Sequence, residues 1–434
     1  MRTGTRKRKP GPSRGTRVAG AALLGVLLLA ACSDGGQDTG ETAGDDAAGG
    51  AETVVEEEPE APPAFAAEPA ATLTEEAFTP PMPAAVLGDA VFLADHTGLT
   101  RFDAEGTETG RAEPEHPVIH IPDTIPEDSL DQAQAGVRSV QTPLAGELNG
   151  DPVVFSGFPV ELPAGEGLEI IAADADTGER VWNTSFAPEK WGTAPPRVSA
   201  STSLLGYHDD LLILQIVKDR MMSSTYAVSV PDAAVAWSDT DAHFSLAVHE
   251  DVIIARQIVD GGLMGPLTGL SPVDGSVVWR KADDDTNGGA GFGPVLRVGL
   301  PDGLKSALVS AADGSVLVTD EDGLPTGSPH CVHDRAADIV VCGADSGAVA
   351  VAVDADGTVL WSLSRDDDGW SGVPTGTDEG IVFVDRGEDA PPVAVNAADG
   401  EVVNEDSGVA PALFGSGFGV VRDGPVLTLH PRAD

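Results

Sequence analysis

The 434-residue chain carries 70 Asp and Glu against 25 Lys and Arg, a formal net charge of −45. So acidic a chain excludes a sequence-independent grip on nucleic acid, which needs basic patches to displace counterions. It also excludes charge-driven adhesion to anionic lipid.

The N-terminus runs against that composition. Seven basic side chains (Arg2, Arg6, Lys7, Arg8, Lys9, Arg14, Arg17) and no acidic one precede an apolar run from Val18 to Ala31. The run is too short to span a bilayer stably and has the basic flank and small-residue exit of a secretory signal. Its end, Leu29-Ala30-Ala31-Cys32, resembles the bacterial lipobox, which implies a signal over residues 1–31 and a diacylated Cys32 as the mature N-terminus. Two acyl chains hold a protein on a membrane. A plain signal peptide with an incidental cysteine is the alternative. Residues 32–79 are mostly Gly, Ala, Pro, Thr, Asp and Glu, with no Lys or Arg and an acidic block at Glu56–Glu58. Too little apolar surface is present there to offset chain entropy, so a solvated tether is expected.

From residue 80 to 434 the text changes again, to short Val/Leu/Ile/Ala runs punctuated by Asp-Gly and Ser-Gly, an all-β pattern. The decisive feature is repetition. AADADTGERVW ends at Trp182, AVSVPDAAVAW at Trp237, GLSPVDGSVVW at Trp279 and AVDADGTVLW at Trp361, with degraded copies ending at Val318 and Asn404. The endpoints 237, 279, 318, 361 and 404 recur at about 42 residues. Each copy is a strand, an Asp/Gly turn and a second strand. Trp182, Trp237, Trp279 and Trp361 occupy one slot, suited to the seam between stacked sheets.

Four-stranded units at this period, arranged radially, make a β-propeller. Ala172-Asp174-Thr177-Gly178-Trp182 matches every fixed position of the quinoprotein-like repeat, and the chain from Ala84 onward resembles that family of PQQ-like repeat propellers. The central strand pairs fall at 90–103, 152–175, 211–230, 252–270, 295–310, 338–353, 380–396 and 418–429. Eight blades are therefore favoured, with seven the alternative. The last blade lacks an outer strand, for which residues 77–83 are the candidate. Residues 113–151 form the longest excursion between repeats and the candidate partner-facing cap.

The family's dehydrogenases hold pyrroloquinoline quinone beneath a disulfide of adjacent cysteines, a pair this chain lacks, so neither PQQ nor dehydrogenase activity is expected. Cys331 and Cys342 flank a turn between β-prone runs, where a disulfide is expected in an exported protein. Asp283, Asp285 and Asn287 match the start of a calcium loop, but the twelfth position is Pro294, not Glu. A solvated loop is expected there, with calcium the lesser alternative. Trp191 and Trp370 stand outside the repeat slot as candidate hot-spot aromatics, with filling core the alternative for either.

These readings predict a monomeric, non-catalytic propeller lipid-anchored to the outer face of an actinobacterial cell membrane, serving as a scaffold for an envelope protein. A small-ligand or carbohydrate receptor, or a quinoprotein-derived enzyme, using the central channel is the alternative.

Overall fold

The computed structural model describes residues 64–433, apart from breaks at 75–82, 96, 120–141, 189–201, 220–221, 240–242, 260–262, 282–285, 301–304, 326–328, 345, 388–389 and 424–425. The signal segment, Cys32 and most of the expected tether lie outside the described residues.

Eight four-stranded antiparallel sheets follow one another along the chain, over 84–112, 144–186, 202–238, 243–280, 287–319, 330–364, 373–404 and 413–431. The first strands of successive sheets adjoin one another, and that of the eighth returns to that of the first. The result is a closed ring, an eight-bladed β-propeller. Within each of the first seven blades the strands run in sequence order from the axis outward. The central strand pairs fall where the apolar runs place them, because these strands are buried on both faces between blades and read as continuous apolar stretches. Val153–Phe155, Leu212–Leu214 and Val382–Val384 are such stretches, each fully enclosed.

The first strands follow a different rule. Near the axis the blades crowd, and at the closest approaches a first strand carries glycine. A Cβ on Gly291 would lie 2.2 Å from Ala247 Cβ of the preceding blade, and one on Gly376 would lie 2.7 Å from the Phe414 ring of the next.

The eighth blade has only three strands of its own, and its outer strand comes from the other end of the chain. Ala71–Thr74 pairs antiparallel with Val426–Pro431, with Ala71 opposite Leu429. The fold thus starts earlier than residue 80, and the closing strand lies upstream of the expected 77–83. Phe65 precedes it, buried against Phe383 and Phe414 at centroid distances of 5.4 and 6.0 Å, with its N–H donated to the Ser407 carbonyl at 2.9 Å. This strand exchange removes the open edge that an incomplete ring would present.

The turn between the third and outer strands explains the repeat's Asp and Gly. Asp174 Oδ1 accepts the N–H of Thr177 at 2.8 Å, its hydroxyl at 2.9 Å and the N–H of Asp176 at 3.1 Å. The Thr177 donors hold this carboxyl below the usual range, against a smaller opposing effect of burial. Asp103 and Asp354 make the same kind of turn. A share of the chain's negative charge is therefore turn chemistry.

Candidate functional site

The repeat tryptophans sit on outer strands and reach to the next blade. Trp182 Nε1 donates to the Val230 carbonyl at 2.9 Å, Trp237 Nε1 to Pro272 at 2.8 Å, and Trp361 Nε1 to Ala397 at 2.8 Å. Each acceptor begins the third turn of the following blade. Trp279 differs. Its ring lies where a Cβ on Gly269 would stand, 2.2 Å from Nε1, and that nitrogen has no partner among the described residues.

The long excursion begins as structure. Its first residues lie along blade 2, where Ile119 N–H donates to the Pro159 carbonyl and Glu161 N–H to Pro117, both at 2.9 Å. A fully buried carboxylate, Glu169, pins this segment. It accepts the backbone N–H of Glu115 at 2.7 Å and of His116 at 2.9 Å, and it also meets His116 Nδ1 at 2.9 Å, Asn183 Nδ2 at 3.1 Å and Arg180 Nη1 at 3.9 Å. Burial alone would raise its pKa, but these donors together hold it below the usual carboxylate range. The excursion also ends as structure, because Leu144–Leu148 is the inner strand of blade 2. Only residues 120–141 of the expected cap lie outside the described residues.

First strands of five blades line a cavity of about 580 Å³ at the axis. Its lining includes apolar Val86, Phe292 and Phe414 and polar Thr377, Asp378 and Glu379. Burial pushes the Asp378 carboxyl above its ordinary range; Arg432, 3.5 Å away, opposes this, and the charges of Glu379 and Asp334 reinforce it. Asp334, itself buried, accepts the Gly380 N–H at 2.7 Å and ties blade 6 to blade 7. A mouth with two aromatic rings, hydroxyls and carboxylates can hold a polar ligand with an apolar face.

Cys331 and Cys342 stand directly opposite each other on the first two strands of blade 6 and form a disulfide, with Cα atoms 4.0 Å apart. Cys331 borders the axial cavity. Cys32, Asp283, Asp285 and Trp191 lie outside the described residues, and Asn287 opens the inner strand of blade 5. No group of metal-ligating side chains occurs among the described residues. Trp370 is not a surface aromatic: it is 8% exposed and packs between blades 6 and 7. Its slot follows an Asp-rich turn, which made it look like a loop residue. Glu169 and Asp378 carried no signal, since nothing local marks a carboxylate that folding will bury.

Residues 95–320, just over half of the chain, match the family described as outer membrane protein assembly factor BamB. No curated protein matches the chain. Among solved structures, the Dos1 propeller is 9% identical, with coverage of 79% of this chain and 75% of that one and a TM-score of 0.40. The Neurospora crassa Pan2 WD40 domain is 9% identical over 70% and 85% of the two chains, with a TM-score of 0.38. Kluyveromyces lactis Hsv2 is 10% identical over 56% and 70%, with a TM-score of 0.36. The repeats, the eight-bladed ring and the sequence match agree: the chain belongs to the family of the outer membrane protein assembly factor BamB, PQQ-like repeat propellers that point to protein–protein scaffolding.

Proposed function

We propose that this propeller is a non-catalytic, protein-binding scaffold of the cell envelope, tethered to the outer face of the membrane through lipid on Cys32. Membership of an assembly-factor family is the observation that carries the reading. The ring gives a rigid frame, and loops at blade ends supply the variable contacts. The candidate cap, residues 113–151, is rooted in the ring through a segment clamped by Glu169, which makes that root a fixed point for docking a partner.

The test is cross-linking on intact cells, followed by affinity capture and mass spectrometry. It compares the full chain with a variant in which residues 120–141 are replaced by a short Gly-Ser linker, leaving Glu113–Ile119 and Leu144–Leu148 in place. One envelope protein recovered in near-stoichiometric yield from the full chain and lost from the variant supports the reading. A folded, anchored protein that captures none overturns it. Metabolic labelling with a palmitate analogue, abolished by Cys32→Ala, tests the anchor separately.

A second reading is favoured by the axial cavity, whose rings and carboxylates suit a small polar or carbohydrate ligand. Titration with a panel of monosaccharides and oligosaccharides, compared between wild type and Asp378→Asn, tests that reading.

A further inference from the structure

Away from the axis, a second cavity of about 490 Å³ opens between blades 6 and 7, a volume typical of small-molecule sites. Trp370 lines it. This side chain is more than nine-tenths buried, and its Nε1 has no hydrogen-bond partner among the described residues. That nitrogen is sealed from solvent, so the indole meets the cavity through its ring and not through its N–H. Arg386 lines the same cavity; its Nε donates to Ser371 Oγ at 3.3 Å, and it forms no ion pair among the described residues. Its terminal nitrogens remain in a fork that suits a carboxylate. Two carboxylates, Asp368 and Glu405, border the opening, and Leu363 and Val402 supply apolar wall.

The site thus offers an anion-binding fork, an apolar wall that includes the Trp370 ring and two acidic groups within one small volume. We propose that this inter-blade cavity binds a short zwitterionic peptide with an apolar side chain. Its carboxylate meets Arg386, its ammonium meets Asp368 or Glu405, and its side chain lies on Leu363, Val402 and the Trp370 ring. The assignment is independent of the scaffold reading, which concerns a different part of the ring.

The experiment is isothermal titration calorimetry of the full chain with leucyl-leucine, its C-terminal amide and its N-acetyl derivative. Leucyl-leucine should bind at one site per chain. The amide should bind about tenfold more weakly or worse, as expected for loss of a charge-assisted bond. In Arg386→Gln the acid should fall to the level of the amide, while the amide itself is unchanged. Glu405→Gln, an exposed change that leaves the core untouched, should narrow the gap between free and acetylated peptide. Absence of saturable heat with leucyl-leucine, or equal binding of acid and amide, would overturn the site. Equal binding of the acetylated peptide would overturn the assignment to free peptides, in favour of the C-terminus of a longer chain.

Discussion

Glu169→Gln is the sharpest probe of how the excursion is held. The wild-type carboxylate presents only acceptors, and two backbone N–H groups, from Glu115 and His116, point at its two oxygens. Glutamine replaces one oxygen with an NH2 group, so in either orientation one backbone N–H faces a donor. The volume hardly changes, and what is lost is hydrogen bonding together with the charge that faces Arg180 Nη1 at 3.9 Å. A bond to a charged group contributes about 1.5–3 kcal/mol. Taking roughly 2 kcal/mol, the local opening constant of this segment should rise about 30-fold. Hydrogen exchange read by mass spectrometry on peptides covering 113–119 should show that acceleration, with peptides from blade 6 unchanged. The pH dependence has a definite sign. The folded-state pKa of Glu169 lies below its ordinary value, so the clamp is complete above the unfolded-state pKa and is lost as pH falls through the folded-state value. The contrast between wild type and variant should therefore be full at neutral pH and shrink in strong acid. Unchanged exchange at 113–119 in the variant at pH 7 would refute the argument, because the carboxylate would then not be what holds the segment.

Three further outcomes follow from other positions. Ala233 occupies the turn slot that is glycine in most blades, with φ of 50°, and it is exposed; Ala233→Gly should relieve the left-handed strain and raise stability by about 1 kcal/mol in urea unfolding. Gly408 has φ of 75°, and a Cβ there would stand 1.9 Å from the Phe65 carbonyl oxygen; Gly408→Ala should loosen ring closure, seen as earlier proteolytic release of the segment around Phe65. Asp378 has a raised folded-state pKa, so the folded state is favoured while this group is protonated and that contribution is lost as pH rises through the folded value. Asp378→Asn should accordingly gain most in melting temperature at neutral pH and little at pH 3; a gain independent of pH would contradict the assignment.

Much of the ring was legible because third strands, turns and outer strands repeat one chemistry. The Asp that caps the turn, the Gly at positive φ and the Trp that reaches the next blade are each tied to a local geometry. Those constraints leave fixed spacings such as Asp174, Gly178 and Trp182. Inner strands leave almost none. Val373–Asp378 reads VPTGTD, because crowding at the axis selects for glycine at the closest approach and not for apolar alternation. The closing strand, four residues of ATLT in an Ala/Pro/Glu-rich stretch, is specified by its partner 350 residues away and by Phe65, not by its own pattern. The same holds for the candidate sites. Glu169, Asp378 and the Trp370–Arg386 pair become chemistry only when blades are packed, while the Asp-rich loops that stood out in the sequence are turn formers or lie outside the described residues.

The closing strand also has a mechanical meaning. Ala71–Thr74 and Phe65 sit at the point where the chain enters the ring. If the protein is anchored from its N-terminus, as proposed, a pull between a membrane and a bound partner would be delivered first to the seam that keeps the eight blades together. Load-bearing capacity would then be set by one four-residue strand, one buried ring and the Gly408 contact, however stable the remaining blades are. An anchor at the other terminus would load the same blade through the partner strand. The ring's seam is thus also its fuse.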